Sequence, residues 1–179
     1  MHLCRFLYND MNPNYGLIDS DRILILNSSF NIGVESAYFK DYIAESVKIS
    51  DVKFLPPCEP TKIVGIALNY PGVDEDSSYV DEPLVFVKGI NALALGDNNF
   101  DLPPSMDAWG ECELAIVIKH KLKNINISSV HEGILGFVPA NDITCNNFHK
   151  RDHHLARSKS ADGFCPVGRY IDIDYEYHN

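Results

Sequence analysis

Four apolar runs of strand length constrain this chain more than any other feature: residues 63–68 (IVGIAL), 84–87 (LVFV), 112–118 (CELAIVI) and 134–138 (ILGFV). Each is bounded by Gly, Pro, Asn or Asp, and runs this short between turn formers predict β-strands rather than helices. The chain also opens as β. Residues 2–8 alternate, and Leu17-Ile18 and Ile23 to Leu26 flank a polar Asp19-Ser20-Asp21-Arg22 turn, the pattern of a hairpin. Val34, Tyr38, Tyr42 and Ile43 fall at helical spacing between Gly33 and Ser46, followed by a β-prone Val52-Lys53-Phe54-Leu55. Pro56-Pro57 and Pro60 then interrupt any sheet ladder. The expectation is a mainly β, mixed α/β protein with a small N-terminal β-rich module over 1–58 and a second domain over 59–179.

The net charge of −10 and a pI near 5.0 argue against nucleic acid or an anionic membrane as partner, since both would repel the chain at long range. A small anionic substrate would need a local cation. The five cysteines, Cys4, Cys58, Cys112, Cys145 and Cys165, are widely spaced and form no CxxC pair, which predicts reduced thiols. The first residues lack a signal-peptide apolar run, and no stretch approaches the ~18 apolar residues of a membrane span, so a cytoplasmic location is expected.

Residues two apart on a strand share a face, which sets Glu111 and Glu113 against Cys112, Leu114, Ile116 and Ile118. Paired carboxylates repel unless a cation, a proton or basic side chains intervene. A hard divalent ion would satisfy them, and a hydrated strand end is the plain alternative. Asp142 follows the run 134–138 where a side chain can face a cleft; its alternative role is an N-cap for a segment from Ile143 to His154. Cys145, His149 and His153 would share one face of such a helix and offer a zinc or copper site.

From here the sequence resembles the fumarylacetoacetate hydrolase family at several spaced segments. Lys62 to Tyr70 resembles its opening strand with an Asn-Tyr signature, and Glu82 to Lys88 its Pro-x-hydrophobic-Phe-x-Lys strand. Gly110 to Ile118 resembles the strand with the ExE metal ligands, Gly136 to Thr144 the segment supplying a third carboxylate, and Ser158 to Gly168 the segment bringing an active-site lysine. The resemblance implies a β-sandwich roll, a metal site of Glu111, Glu113 and Asp142 holding Mg²⁺, Mn²⁺ or Ca²⁺, and Lys159 binding substrate oxygens. It also implies homo-oligomers and a small 2-oxo- or diketo-carboxylate substrate, processed through a metal-stabilised enolate by hydrolysis, isomerisation or decarboxylation.

Three departures stand beside it. The family's lid histidine is replaced by Val73, with Asp76 where a glutamate follows; a carboxylate with a pKa of about 4 is a poorer proton shuttle than imidazole at neutral pH. Asn146 and His149 occupy positions where the family tends to place Arg and Gln to bind substrate. The chain is also C-terminally short for the family, which predicts exposed sheet faces and self-association. The competing reading is a catalytically impaired member that binds metal or a partner chain.

Overall fold

The computed structural model describes residues 1–9, 12–69, 82–99, 101–102, 107–146 and 152–175. In chain order the strands are β1 (His2–Tyr8), β2 (Asn14–Asp19), β3 (Arg22–Leu26), β4 (Ile43–Lys48), β5 (Val52–Leu55), β6 (Ile63–Ala67) and β7 (Leu84–Lys88). There follow β8 (Leu93–Leu95), β9 (Ala108–Trp109), β10 (Cys112–Ile118), β11 (Ile134–Asn141), β12 (Thr144–Cys145), β13 (Cys165–Val167) and β14 (Tyr170–Asp172). One helical turn, α1 (Ala156–Lys159), precedes β13. The mainly β expectation holds. No helix among the described residues is long and apolar enough to cross a membrane.

The chain divides into two compact units, the first made of Met1–Glu59, Cys112–Ala140 and Val167–Asn179, the second of Pro60–Glu111 and Asn141–Pro166. The first unit is organised around β1, which pairs antiparallel with β2 along one edge and with β14 and then β5 along the other. β3 and β4 extend the sheet beyond β2, and β11 and β10 extend it beyond β14. The predicted hairpin is present. Asp19 pairs with Arg22, and Ser20 adopts a left-handed φ of 56° in the turn.

Alternation along β1 feeds two apolar layers, because successive side chains point to opposite faces. Leu3 joins Leu17, Leu26, Phe39, Leu135, Ile171 and Ile173, while Cys4 and Phe6 join Ile23, Ile25 and Val47. Both faces of β1 are therefore covered, and even Arg5 is buried, its guanidinium paired with Glu59. The Cys4 thiol donates to the Gly16 carbonyl at 3.3 Å, and burial pushes its pKa from 9.0 up to about 12.

A folded-state pKa raised in this way gives stability that is complete below pH 9 and lost as pH rises toward 12, at about 1.4 kcal/mol per pH unit. Urea unfolding should therefore weaken across that window. Cys4→Ala should flatten the alkaline slope while lowering stability at pH 7, and an unchanged slope would assign the effect to other groups.

The helix expected between Gly33 and Ser46 is not formed. A 3-10 helix over Ser36–Tyr42 leads directly into β4. Its three-residue period puts Phe39 and Tyr42 on one face, so Phe39 is fully buried and packs edge-on at 4.9 Å from Phe30, whereas Tyr38 points outward. Val47 on β4 then contacts the Ile23 and Ile25 layer, a gain that a helix continuing to Ser46 would forgo.

On β10 the alternation is real, but its polarity is the reverse of a core strand: Leu114, Ile116 and Ile118 are 65%, 53% and 49% exposed. In the second unit, β6 and β7 form an antiparallel pair in which Val64 lies opposite Val87 and Ile66 opposite Val85, all four exposed. Phe86 and Lys88 point to the buried face. Gly65 lies opposite Phe86, and a Cβ there would overlap the ring.

Candidate active site

Within the second unit, two hydrogen bonds donated by backbone N–H groups bring Glu111 and Asp142 side by side. The Asp142 N–H donates to the Glu111 carbonyl at 2.9 Å, and the Glu111 N–H donates to the Asn141 side-chain oxygen at 3.0 Å. Beside them β9 pairs with β12, Trp109 opposite Thr144 and Ala108 opposite Cys145. This pairing overturns the helix expected from Ile143. It also removes the Asp142 N-cap and the shared helical face proposed for Cys145, His149 and His153, since Cys145 is a buried strand residue.

The lysines converge on the same carboxylates. Lys159 Nζ donates to Asp142 Oδ2 at 2.7 Å and to Glu111 Oε2 at 2.8 Å, and it lies 4.9 Å from the centre of the Phe86 ring. Lys88 Nζ donates to Asp142 Oδ1 and to the Ile143 carbonyl at 3.2 Å. Asp142 thus carries one ammonium on each oxygen. Both lysines and Asp142 are buried, whereas the Glu111 side chain is 37% exposed.

Local sequence explains how Lys159 is placed. It ends the single turn of α1, its N–H bonded to the Leu155 carbonyl at 2.9 Å. Asp152 holds that turn by accepting from the Ser158 N–H at 2.7 Å and the Ser158 hydroxyl at 2.8 Å. Burial raises the Asp152 carboxyl, but these and neighbouring backbone donors outweigh it, and the net shift is downward.

The electrostatics follow from the same contacts. Burial pulls the Lys88 ammonium down, opposed by its bond to Asp142 and reinforced by the like charge of Lys159, and the net shift is downward. Burial raises Glu111, yet donation from Lys159, from Trp109 Nε1 at 2.8 Å and from Thr144 brings it below its ordinary range. The site is therefore a charge-balanced pair of carboxylates and ammonium groups.

Of the residues singled out from sequence, Glu111, Asp142 and Lys159 are brought together. Glu113 belongs to the first unit, and among the described residues no three His, Cys, Asp or Glu side chains gather as a metal-ready group. The donors that do converge are carboxylate oxygens meeting at one positive charge, a chemistry that suits a hard cation. Asn146 donates its N–H to the Asp107 carbonyl at 3.0 Å, and its buried Oδ1 has no hydrogen-bond partner among the described residues. Val73, Asp76 and His149 lie outside the described residues.

Lys88, Phe86, Asn141 and Trp109 were not identified as site residues from sequence. A lysine two positions after Phe86 on a short apolar strand was the available signal, because period two puts both on the buried face. The bond that Asn141 accepts from Glu111 depends on the meeting of distant segments, whereas Trp109 donates to a glutamate only two residues along the chain.

Comparison with known proteins follows the same outline. Residues 62–176 match the family described as fumarylacetoacetate (FAA) hydrolase, C-terminal, and residues 1–57 match a family described as Rv2993c-like, N-terminal. A protein of Archaeoglobus fulgidus is 36% identical over 154 residues, covering 84% of this chain and 60% of its own. The human mitochondrial oxaloacetate tautomerase FAHD2A is 30% identical over 125 residues, covering 66% and 40%. Among solved structures, a 5-carboxymethyl-2-hydroxymuconate delta-isomerase of Mycobacterium smegmatis superposes with a TM-score of 0.84 at 25% identity, covering 98% of this chain and 68% of that one. A maleylpyruvate hydrolase of Sphingobium sp. SYK-6, in complex with manganese(II) and pyruvate, gives a TM-score of 0.67 at 21% identity over 97% and 67%. The chain spans between 51% and 60% of the length of three curated relatives that it matches. Relatives in this set include hydrolases, isomerases and tautomerases. With the match covering most of its length and the mainly β fold in agreement, the chain belongs to the fumarylacetoacetate hydrolase family.

Proposed function

We propose that this chain carries the active site of a divalent-metal-dependent enzyme acting on a small 2-oxo- or diketo-carboxylate by hydrolysis, isomerisation or decarboxylation. The observation that carries the reading is Lys159 Nζ held between Asp142 and Glu111 at 2.7 and 2.8 Å, with Lys88 on the far oxygen of Asp142. The two buried ammonium groups are balanced by Asp142 and Glu111, and a cation taken up by those carboxylates would leave the ammoniums a local place for an anion in a chain of net charge −10. Glu111, Glu113 and Asp142 would hold Mg²⁺, Mn²⁺ or Ca²⁺, and the manganese in the Sphingobium relative supports the use of a divalent ion. Such an ion supplies Lewis acidity toward the substrate's 2-oxo oxygen.

Lys159 then donates N–H groups to substrate oxygens as negative charge develops on them, and Asp142 keeps that ammonium oriented. Asn146 and His149 would contribute to substrate binding, and Asp76 would serve proton transfer. The same reading includes self-association, since Leu114, Ile116 and Ile118 are exposed on β10. Sedimentation at micromolar concentration should give an oligomer, and a stable monomer would remove that part.

The test uses oxaloacetate, the substrate named for the human relative, with acylpyruvates in parallel and Mg²⁺ or Mn²⁺ present. Turnover above buffer is expected, with Lys159→Met reducing kcat by about 100-fold or more. No turnover of either class would favour the impaired, metal-binding member that Val73 suggests.

A further inference from the structure

The placement of Lys159 depends on a contact outside the charged cluster. After Lys88 the chain makes a 3-10 turn over Ile90–Ala92, and four hydrogen bonds tie this stretch to the turn that follows Lys159. Gly89 N–H donates to the Ser160 hydroxyl at 3.0 Å. The Asn91 side-chain amide donates to the Ser160 carbonyl at 3.0 Å and to Asp162 Oδ1 at 2.6 Å, and the Asn91 carbonyl accepts from the Gly163 N–H at 3.3 Å.

Two of the anchors sit one residue from the lysines that share Asp142. Gly89 follows Lys88, and Ser160 follows Lys159. Backbone bonds hold the two ends of the turn, Ser160 N–H to the Ala156 carbonyl at 3.1 Å and Ile143 N–H to the Phe164 carbonyl at 3.1 Å, and Phe164 N–H bonds the Ala161 carbonyl at 3.1 Å; between them Gly163 has a left-handed φ of 78° and the Asp162 side chain is exposed. Asn91 is exposed, so its side chain does not hold this position by packing into the core.

We propose that Asn91 is a positioning residue for Lys159: its amide and carbonyl strap the Ser160–Gly163 turn to the segment after Lys88, fixing where the Lys159 ammonium sits relative to Asp142. The inference rests on the reading of Lys159 as the group that binds substrate. It gives the Asn91–Asp162 pair a task in the site although neither side chain touches the carboxylates or either ammonium. An amide is suited to it because one side-chain nitrogen supplies two donors, one to a carbonyl and one to a carboxylate.

The experiment compares wild type with Asn91→Ala, Asn91→Asp and the double variant Asn91→Asp/Asp162→Asn. In Asn91→Asp two carboxylates meet at hydrogen-bond distance, whereas the double variant restores a donor and an acceptor with their roles exchanged. The first readout is the Lys159 ε-CH₂ resonance in lysine-¹³C-labelled protein at pH 7. Its shift should move most in Asn91→Asp, less in Asn91→Ala, and return toward the wild-type position in the double variant.

The second readout is turnover of oxaloacetate. The single variants should lower kcat by about tenfold while KM changes less than about threefold, since a displaced lysine costs transition-state contact more than encounter. Circular dichroism confirms that each variant is folded. An unmoved Lys159 resonance in both single variants, or a double variant no closer to wild type than Asn91→Asp, overturns the proposal. If wild type turns over neither oxaloacetate nor an acylpyruvate, the functional reading falls while the resonance still decides the strap.

Discussion

Asp142→Asn is expected to lower the unfolding free energy by about 3–5 kcal/mol, the cost of removing one partner from a buried ion pair. Asp142 is only 8% exposed and receives Lys88 on one oxygen and Lys159 on the other. An asparagine keeps the volume, but it offers a single acceptor oxygen and turns an NH₂ group toward one of the two ammoniums. The loss should fall chiefly on Lys88. Its side chain is 3% exposed, and its remaining partner is the Ile143 carbonyl, whereas Lys159 retains Glu111.

Adding Lys88→Met to that background should recover part of the loss, because an apolar side chain of similar length removes the uncompensated charge. Urea unfolding followed by far-UV circular dichroism measures both steps, with unchanged m-values required for the comparison. A loss below about 1 kcal/mol would mean that water or a neighbouring group already satisfies the lysines.

The same cluster separates what was legible in the sequence from what was not. Glu111, Asp142 and Lys159 could be named because each sits in a segment that resembles a motif of the fumarylacetoacetate hydrolase family; the spacing of Glu111 and Glu113 alone also fitted a hydrated strand end. Their neighbours could not be named. Lys88 looked like the end of an apolar strand, and only the meeting of β7 with the segment after β11 makes its ammonium a partner for Asp142. The helix expected from Ile143 failed for a related reason: pairing of Thr144 and Cys145 with Trp109 and Ala108 is a long-range gain that local spacing does not reveal. The N-terminal hairpin was legible because both its polar turn and its apolar strands are local. Over Gly33 to Ser46 the apolar spacing fitted a helix, but the burial of Phe39 and the pairing of β4 with β3 prevailed. On β10 the period was right, yet which face is covered is not a property of the period.

Replacing Lys159 should change the response of the protein to divalent cations as well as its turnover. In wild type, an ion entering between Glu111 and Asp142 must displace an ammonium that sits 2.8 and 2.7 Å from their oxygens. In Lys159→Met that competition is gone, and the two carboxylates face each other with only Lys88 nearby to offset the repulsion. The metal-free variant should therefore be less stable than wild type. Mn²⁺ should bind it more tightly, by about tenfold, a free-energy difference of about 1.4 kcal/mol. At a fixed excess of Mn²⁺ the unfolding temperature of the variant should accordingly rise by more than that of wild type, because stabilisation by a ligand grows with the logarithm of its concentration over Kd. Glu111→Gln and Glu113→Gln, each placed in the Lys159→Met background, assign the donors: each removes one charged oxygen ligand with little change of shape, and each should weaken binding again. Calorimetric titration with Mn²⁺ reads these differences without reference to catalysis. Equal affinities in wild type, Lys159→Met and both double variants would show that the cation is held elsewhere and that Lys159 alone neutralises Glu111 and Asp142. A loss confined to Glu111→Gln would leave Glu113 outside the metal site and reduce the predicted ligand set to Glu111 and Asp142.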